Sequence, residues 1–283
     1  MTPSSTAPST APSTRRSSSL LRLLASTGAL LACAALAACG TRLTPTVAQV
    51  SGRSVEVVEA GAGDATVVFE AGLGDDWARW DKVAAEVAGR AQVFAYSRPG
   101  YGDSDPSGAP RTATRIVEDL RALLAARGFA PPYILVGHSF GGTYMELFAK
   151  AHPEEVTALV LVDSRPRDFT VACQGAGYKA CIIPLSAVGS QVERDEVLEF
   201  ASTSTEIRAA GTFGRYPVSV LTATSHPWAE PVEALWESMH GSLADEASLG
   251  RQIFFPGAGH YLQLERAHEV AEVILNLIPP QKS

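Results

Sequence analysis

The stretch Tyr133-Ile134-Leu135-Val136-Gly137-His138-Ser139-Phe140-Gly141-Gly142-Thr143-Tyr144-Met145-Glu146-Leu147-Phe148-Ala149-Lys150-Ala151-His152-Pro153 decides how the chain is read. Its first four residues form the apolar run of a buried strand. The following pentapeptide, GHSFG, has the form of a nucleophile elbow, a tight turn that joins a strand to a helix with a serine at its apex. Flanking glycines suit such a turn because side chains there would collide with neighbouring backbone. The turn presents the serine hydroxyl to a cleft, next to the N-terminus of the helix, where a developing oxyanion would be stabilised. GxSxG alone is common in a chain rich in Gly and Ser, so the strand before it and the helix running to Pro153 give it meaning.

Outward from the elbow, short apolar strands alternate with helical stretches, the pattern of an α/β fold with a largely parallel sheet. Val47–Val50 and Ser54–Glu59 suit an antiparallel start. Buried strands are expected at Thr66–Glu70, Gln92–Ser97, Tyr133–Val136, Ala158–Asp163, Val218–Ala223 and Gln252–Phe255. Spacings of three and four predict helices over Trp80–Ala88, Thr114–Arg127, Thr143–Ala151 and Arg266–Leu277. Residues 164–215 break the alternation, with helical patches at Val192–Ala201 and Thr205–Ala210. So long a connection is expected to be an inserted helical lid.

At 283 residues and 46% hydrophobic composition, one large domain is the expectation. A net charge of -7, with no cluster of Lys and Arg in the folded part, excludes a nucleic-acid partner. Residues 1–38 read as an export signal: a Ser/Thr/Ala/Pro tract, then Arg15, Arg16 and Arg22, then the apolar stretch Leu23–Ala38. Leu36-Ala37-Ala38-Cys39 resembles the lipobox of bacterial lipoproteins, which predicts acylation of Cys39, a linker over 39–46 and a membrane-anchored, exported domain over 47–283. A transmembrane helix is the competing reading, but the apolar stretch falls short of the ~20 residues a bilayer needs. The paired arginines are compatible with twin-arginine as well as general export. Cys173 and Cys181 remain in the mature chain, as a disulfide in an oxidising compartment or as two buried thiols.

An elbow serine needs a base, an orienting acid and oxyanion donors. Phe255-Pro256-Gly257-Ala258-Gly259-His260 places His260 in a Gly-rich loop after the last strand, ahead of the final helix, and makes it the candidate base. With GHSFGG, GAGHYLQLER, VVFEAGLGDDWARW and FAYSRPGYGDSD, the chain resembles the α/β-hydrolase-fold serine hydrolases over approximately Val47–Ile278. The resemblance implies an esterase-like enzyme with no metal or organic cofactor. It also implies an oxyanion hole made by the backbone N–H groups of Leu73 and Phe140, although Ala71 stands where the family often has His. The commonest family position for the acid falls near residues 226–227, where this chain has Ser225-His226-Pro227-Trp228-Ala229-Glu230. A second family position, at the end of the preceding strand, holds Asp163. Asp163 is therefore the expected acid, with Glu230 in reserve and Asp245 a remote third. Arg98 is expected to tie the Pro99-Gly100 turn or to bridge loops at the cleft rim, Asp75 and Asp76 to cap a helix near Trp77 or to bind a polar substrate group, and Trp228 and Trp236 to line the pocket or pack beneath the lid.

The expected reaction is attack of Ser139 on an ester carbonyl, with His260 as proton acceptor, Asp163 as its orienting partner and water resolving the acyl-enzyme. A serine at the elbow argues against the dehalogenase and epoxide-hydrolase branches, which carry a carboxylate there. Thioester, lactone, amide or carbon–carbon bond hydrolysis and a cofactor-free haloperoxidase-like activity would use the same parts. A catalytically silent lipoprotein holding a hydrophobic ligand is the alternative of a different class.

Overall fold

The computed structural model of the chain describes residues 43–280 apart from 109 and 180. The expected export signal, Cys39 and the first part of the expected linker lie outside the described residues. No helix among the described residues is long and apolar enough to cross a membrane.

Eight strands form a single sheet in the order β1-β2-β4-β3-β5-β6-β7-β8. β1 (Thr46–Val50) and β2 (Arg53–Ala60) pair antiparallel, and β2 is also antiparallel to β4 (Gln92–Tyr96). The remaining neighbours run parallel: β3 (Thr66–Glu70), β5 (Tyr133–His138), β6 (Val156–Val162), β7 (Val218–Ala223) and β8 (Gly250–Phe255). Each strand overlaps its expected position, because an apolar run of this length between turn residues leaves few alternatives.

The sheet is covered on both faces, and the period-two alternation of its strands supplies both cores. Tyr133 and Leu135 of β5 join one cluster with α2 (Ala113–Ala126) and α3 (Phe140–Ala151). Ile134 and Val136 join the other, with α1 (Asp81–Val87) and α8 (Ala267–Leu275), which follows the single turn α7 (Leu262–Glu265). Burying each such side chain contributes about 1.5–3 kcal/mol, so the central strands are held from two sides.

Between β6 and β7 the chain forms α4 (Phe169–Gly175) and α5 (Gln191–Ala210). The sequence suggests two helical patches where α5 is one helix. Ser202, Thr203 and Ser204 interrupt its apolar spacing, yet the polar groups are satisfied: Ser202 donates to the Glu199 carbonyl at 2.8 Å and Ser204 to Asp168. α6 (Glu230–Asp245) is a helix absent from the expectations above. Its signal was available, since Val232, Leu235, Trp236, Met239 and Leu243 recur at spacings of one, three and four.

Candidate active site

The elbow forms where β5 meets α3. Ser139 has φ 52° and ψ −122°, a region that costs a non-glycine residue strain and persists only where the surroundings over-determine it. They do so here. The Ser139 N–H donates to the Val162 carbonyl at 3.3 Å, and its own carbonyl accepts from the Arg165 N–H at 3.0 Å. Close approach of the helix excludes any side chain at position 137, where a Cβ would stand 2.6 Å from the Gly141 carbonyl oxygen. Phe140 is the first residue of α3, so its N–H has no intrahelical acceptor.

Asp163 follows the last residue of β6, is fully buried and also has positive φ, 42°. Its Oδ1 accepts from the Ala223 N–H at 3.0 Å and from Trp236 Nε1 at 2.9 Å. Its Oδ2 meets two imidazoles, His260 Nδ1 and His226 Nε2, each at 2.7 Å. Burial is the largest single influence and pushes this carboxyl up. The hydrogen bonds from His226 and His260, with the nearby imidazole charges, overcome it and hold the group far below the usual carboxylate range.

His260 thus turns Nδ1 toward Asp163 and leaves Nε2 for the cavity. Its loop is braced from the elbow itself: His138 Nε2 donates to the His260 carbonyl at 2.9 Å. His138 Nδ1 has no partner among the described residues. Burial, helped by the neighbouring His260, lowers the His138 pKa to about 3, so this ring is a neutral donor.

Ser139, His260, Leu73 and Phe140 line one cavity of about 310 Å³, together with Asp75, Arg165 and Trp228. The site residues named from sequence therefore come together, with the exception of the reserve acids. Glu230 is exposed at the start of α6 and Asp245 is exposed at its end. Where the commonest family pattern has an acid, near 226–227, this chain places His226, its Nε2 directed at Asp163.

That second imidazole was not singled out from sequence. His226 Nδ1 lies 2.9 Å from Glu233 Oε1, so its two nitrogens face two carboxylates. Burial, the largest influence, lowers its pKa, but bonds to Asp163 and Glu233 outweigh it and the net shift is upward. The ring stacks on Trp228 at 4.3 Å and 8°. Asp163, His226 and His260 bring three possible metal-ligand atoms within 4.8 Å of one another. Both ring nitrogens are hydrogen-bonded to the one carboxylate oxygen, so a metal there would have to displace both bonds.

Of its two expected roles, Arg98 takes that of bridging loops. Rather than tying its own turn, it donates to the carbonyls of Ala71 and Gly72 at 2.5 and 2.7 Å and pairs with Glu70 at 2.6 Å. It also forks onto Glu196 of α5, at 3.0 Å through Nε and Nη2. A buried arginine thus braces the loop carrying Leu73, in the place where Ala71 supplies no polar side chain. Of the two aspartates, Asp76 caps the turn beginning at Trp77, whereas Asp75 reaches the cavity and pairs with Arg79 at 2.7 Å. Trp228 and Trp236 both line the cavity. Cys173 and Cys181 are joined as a disulfide, with Cα atoms 6.1 Å apart.

The sheet order, the elbow after β5 and the histidine loop after β8 coincide with a known architecture, and residues 65–176 match the family model described as alpha/beta hydrolase fold. The chain has the α/β-hydrolase fold. Among solved structures, this α/β-hydrolase-fold chain is similar to a membrane phospholipase A described as a bacterial virulence factor, with a TM-score of 0.59 and 20% identity over 91% of this chain and 98% of that one. It is also similar to epoxide hydrolase A from Mycobacterium thermoresistibile, with a TM-score of 0.65 and 17% identity over 85% and 99%. Among relatives by sequence, an uncharacterized Bacillus subtilis (strain 168) protein, YqjL, is 26% identical over 74% of this chain and 82% of its own length. The putative carbamate hydrolase RutD of Azorhizobium caulinodans is 32% identical over 36% of this chain and 38% of its own. Together these matches support the α/β-hydrolase fold.

Proposed function

We propose that this α/β-hydrolase-fold protein is a serine hydrolase that cleaves carboxylic esters through an acyl-enzyme. The reading is carried by His260, whose Nδ1 is held 2.7 Å from the buried Asp163 carboxylate in the cavity that also contains Ser139. Ser139 Oγ attacks the acyl carbonyl while His260 Nε2 takes its proton. Asp163 orients the ring and stabilises the imidazolium without itself accepting the proton, since its carboxyl lies so far below the ordinary range. The oxyanion sits at the Phe140 and Leu73 N–H groups, at the positive end of α3. His260 then returns the proton to the leaving alcohol, and water repeats the sequence in reverse to release the acid.

The helical insertion between β6 and β7 contributes Arg165 and Ile183 to the cavity wall and serves as the selectivity-bearing lid. Export and anchoring through an acylated Cys39 place the domain at a membrane surface, in a compartment compatible with the disulfide. A fluorophosphonate probe and a panel of p-nitrophenyl esters, applied beside Ser139→Ala, test the chemistry. Labelling and turnover that vanish with the serine are expected; their absence in the wild type sinks the proposal. Mass spectrometry of membrane fractions tests the anchor, and a purely soluble, unacylated product refutes it.

A further inference from the structure

Among the described residues, the arginines buried beside the site are paired with carboxylates apart from Arg165. Arg98 meets Glu70 and Glu196, Arg111 meets Glu196, and Arg167 meets Glu146 and Glu246. Arg165 is as deeply buried, at 8% exposure, yet no carboxylate among the described residues lies within ion-pair distance of it. No Asp or Glu occurs at the undescribed positions, so no acidic side chain of the chain is left to fill that role. The nearby acid Asp168 is engaged by Arg208 at 2.8 Å and by Ser204, and Asp75 across the cavity by Arg79.

The guanidinium is nevertheless held in place. Nη2 donates to Thr170 Oγ1 and to the Cys181 carbonyl, both at 2.7 Å, and the rings of Phe140, Phe169 and Phe200 stand 5.4–5.8 Å from its Cζ. Nε and Nη1 have no protein acceptor among the described residues. Burial lowers the pKa of Arg165 to about 10, which leaves it cationic at neutral pH. Its backbone is bonded directly to the nucleophile's carbonyl. Its side chain lines both the serine cavity and an adjoining one of about 370 Å³, which share Phe140 and Ile183. A fixed, desolvated and uncompensated cation at the junction of two cavities is a site for an anion.

We infer that Arg165 is the specificity-determining residue for an anionic group on the substrate, so that the preferred esters carry a carboxylate or phosphate near the scissile bond. The inference rests on Ser139 being the nucleophile. It places the reacting carbonyl over the elbow and the anion on the Nε–Nη1 edge of Arg165. The disulfide gains a role as well, because it anchors the loop whose Cys181 carbonyl orients the guanidinium.

The test compares kcat/KM for matched esters: 4-nitrophenyl hemiglutarate against 4-nitrophenyl pentanoate for a carboxylate on the acyl side, and 4-carboxyphenyl and 4-phosphonooxyphenyl butyrates against phenyl butyrate for the alcohol side. A preference of about ten-fold or more for at least one anionic ester is expected, as for a charge-assisted hydrogen-bonded pair. Arg165→Gln, which keeps an amide donor at this position, should abolish the preference through KM, bringing the ratio of anionic to neutral kcat/KM to about one. Arg165→Lys should retain part of it. Equal or faster turnover of every neutral ester by the wild type overturns the inference without recourse to any variant, as does a preference that survives in Arg165→Gln. If no ester is cleaved and Ser139 is not labelled by fluorophosphonate, the serine-hydrolase reading fails separately. Calorimetry of glutarate and inorganic phosphate binding to the wild type and Arg165→Gln then decides anion recognition, and the absence of Arg165-dependent binding overturns it.

Discussion

At the scale of single residues, the acid is the point where chemistry and position diverge. Asp163 sits at a strand end and reaches His260 across 97 positions of sequence, while Glu230 is exposed on α6. Asp163→Asn should therefore lower kcat by about 10⁴-fold, the scale of losing the correct histidine tautomer. Glu230→Gln should stay within about two-fold, as an exposed substitution does. Steady-state kinetics on a p-nitrophenyl ester decide between them, and the reverse pattern would falsify the assignment. His226 permits a second expectation. Held between Asp163 and Glu233 with a raised pKa, its protonated form sits on the oxygen that must also stabilise the His260 imidazolium, and like charges oppose each other. In His226→Gln the acidic limb of the kcat/KM profile should move to higher pH by about one unit. A shift to lower pH, or none, contradicts this.

At the scale of elements, the inserted helix α5 is tied to the loop after β3 through Glu196 and Arg98. That carboxylate is buried, is bonded by both Arg98 and Arg111, and has its pKa lowered because those two cations overcome the larger effect of burial. Arg98 in turn holds the carbonyls of Ala71 and Gly72, so α5 and the loop proposed to carry an oxyanion donor share one brace. Glu196→Gln leaves two buried guanidinium groups short of charge and should cost about 3 kcal/mol in urea unfolding, the scale of breaking a buried pair. It should also reduce kcat more than it raises KM, because Leu73 is displaced. Unchanged unfolding would mean that the brace contributes nothing. No local pattern in the sequence reveals it, since a lone Glu in an amphipathic helix reads as solvated surface. The helices themselves were legible from apolar spacing, and the strands from apolar run length.

For the whole molecule, buried titratable groups set how stability depends on pH, with opposite signs. His138 has a folded pKa of about 3 against an ordinary 6.5, so the unfolded chain binds more protons between those values. Its contribution is complete above pH 6.5 and is lost as pH falls toward 3, by about 1.4 kcal/mol per unit in the steepest window. Asp163 adds to this at lower pH: its folded pKa is depressed, so its stabilisation is present above the ordinary 3.8 and is lost as pH falls below it. His226 runs the other way. Its raised folded pKa contributes stability below the ordinary 6.5 that is lost as pH rises through the folded value. Between pH 7 and 5 the urea midpoint of the wild type should drop relative to that of His138→Gln, which keeps a donor for the His260 carbonyl; identical slopes would refute the His138 account. The sequence alone determined the α/β alternation, the parallel strands, the elbow at Ser139 and the glycine loop of His260. These are written in contiguous residues whose run length, spacing and turn chemistry act locally. The tertiary structure decided which carboxylate faces His260, that His226 shares it, that Arg98 braces the oxyanion loop and that Arg165 is left without a counter-charge. Those facts depend on groups meeting across long stretches of chain, for example 27 positions for Arg98 with Ala71, 63 for Asp163 with His226 and 98 for Arg98 with Glu196. Such meetings follow from strand order and helix packing and leave no local trace in the sequence.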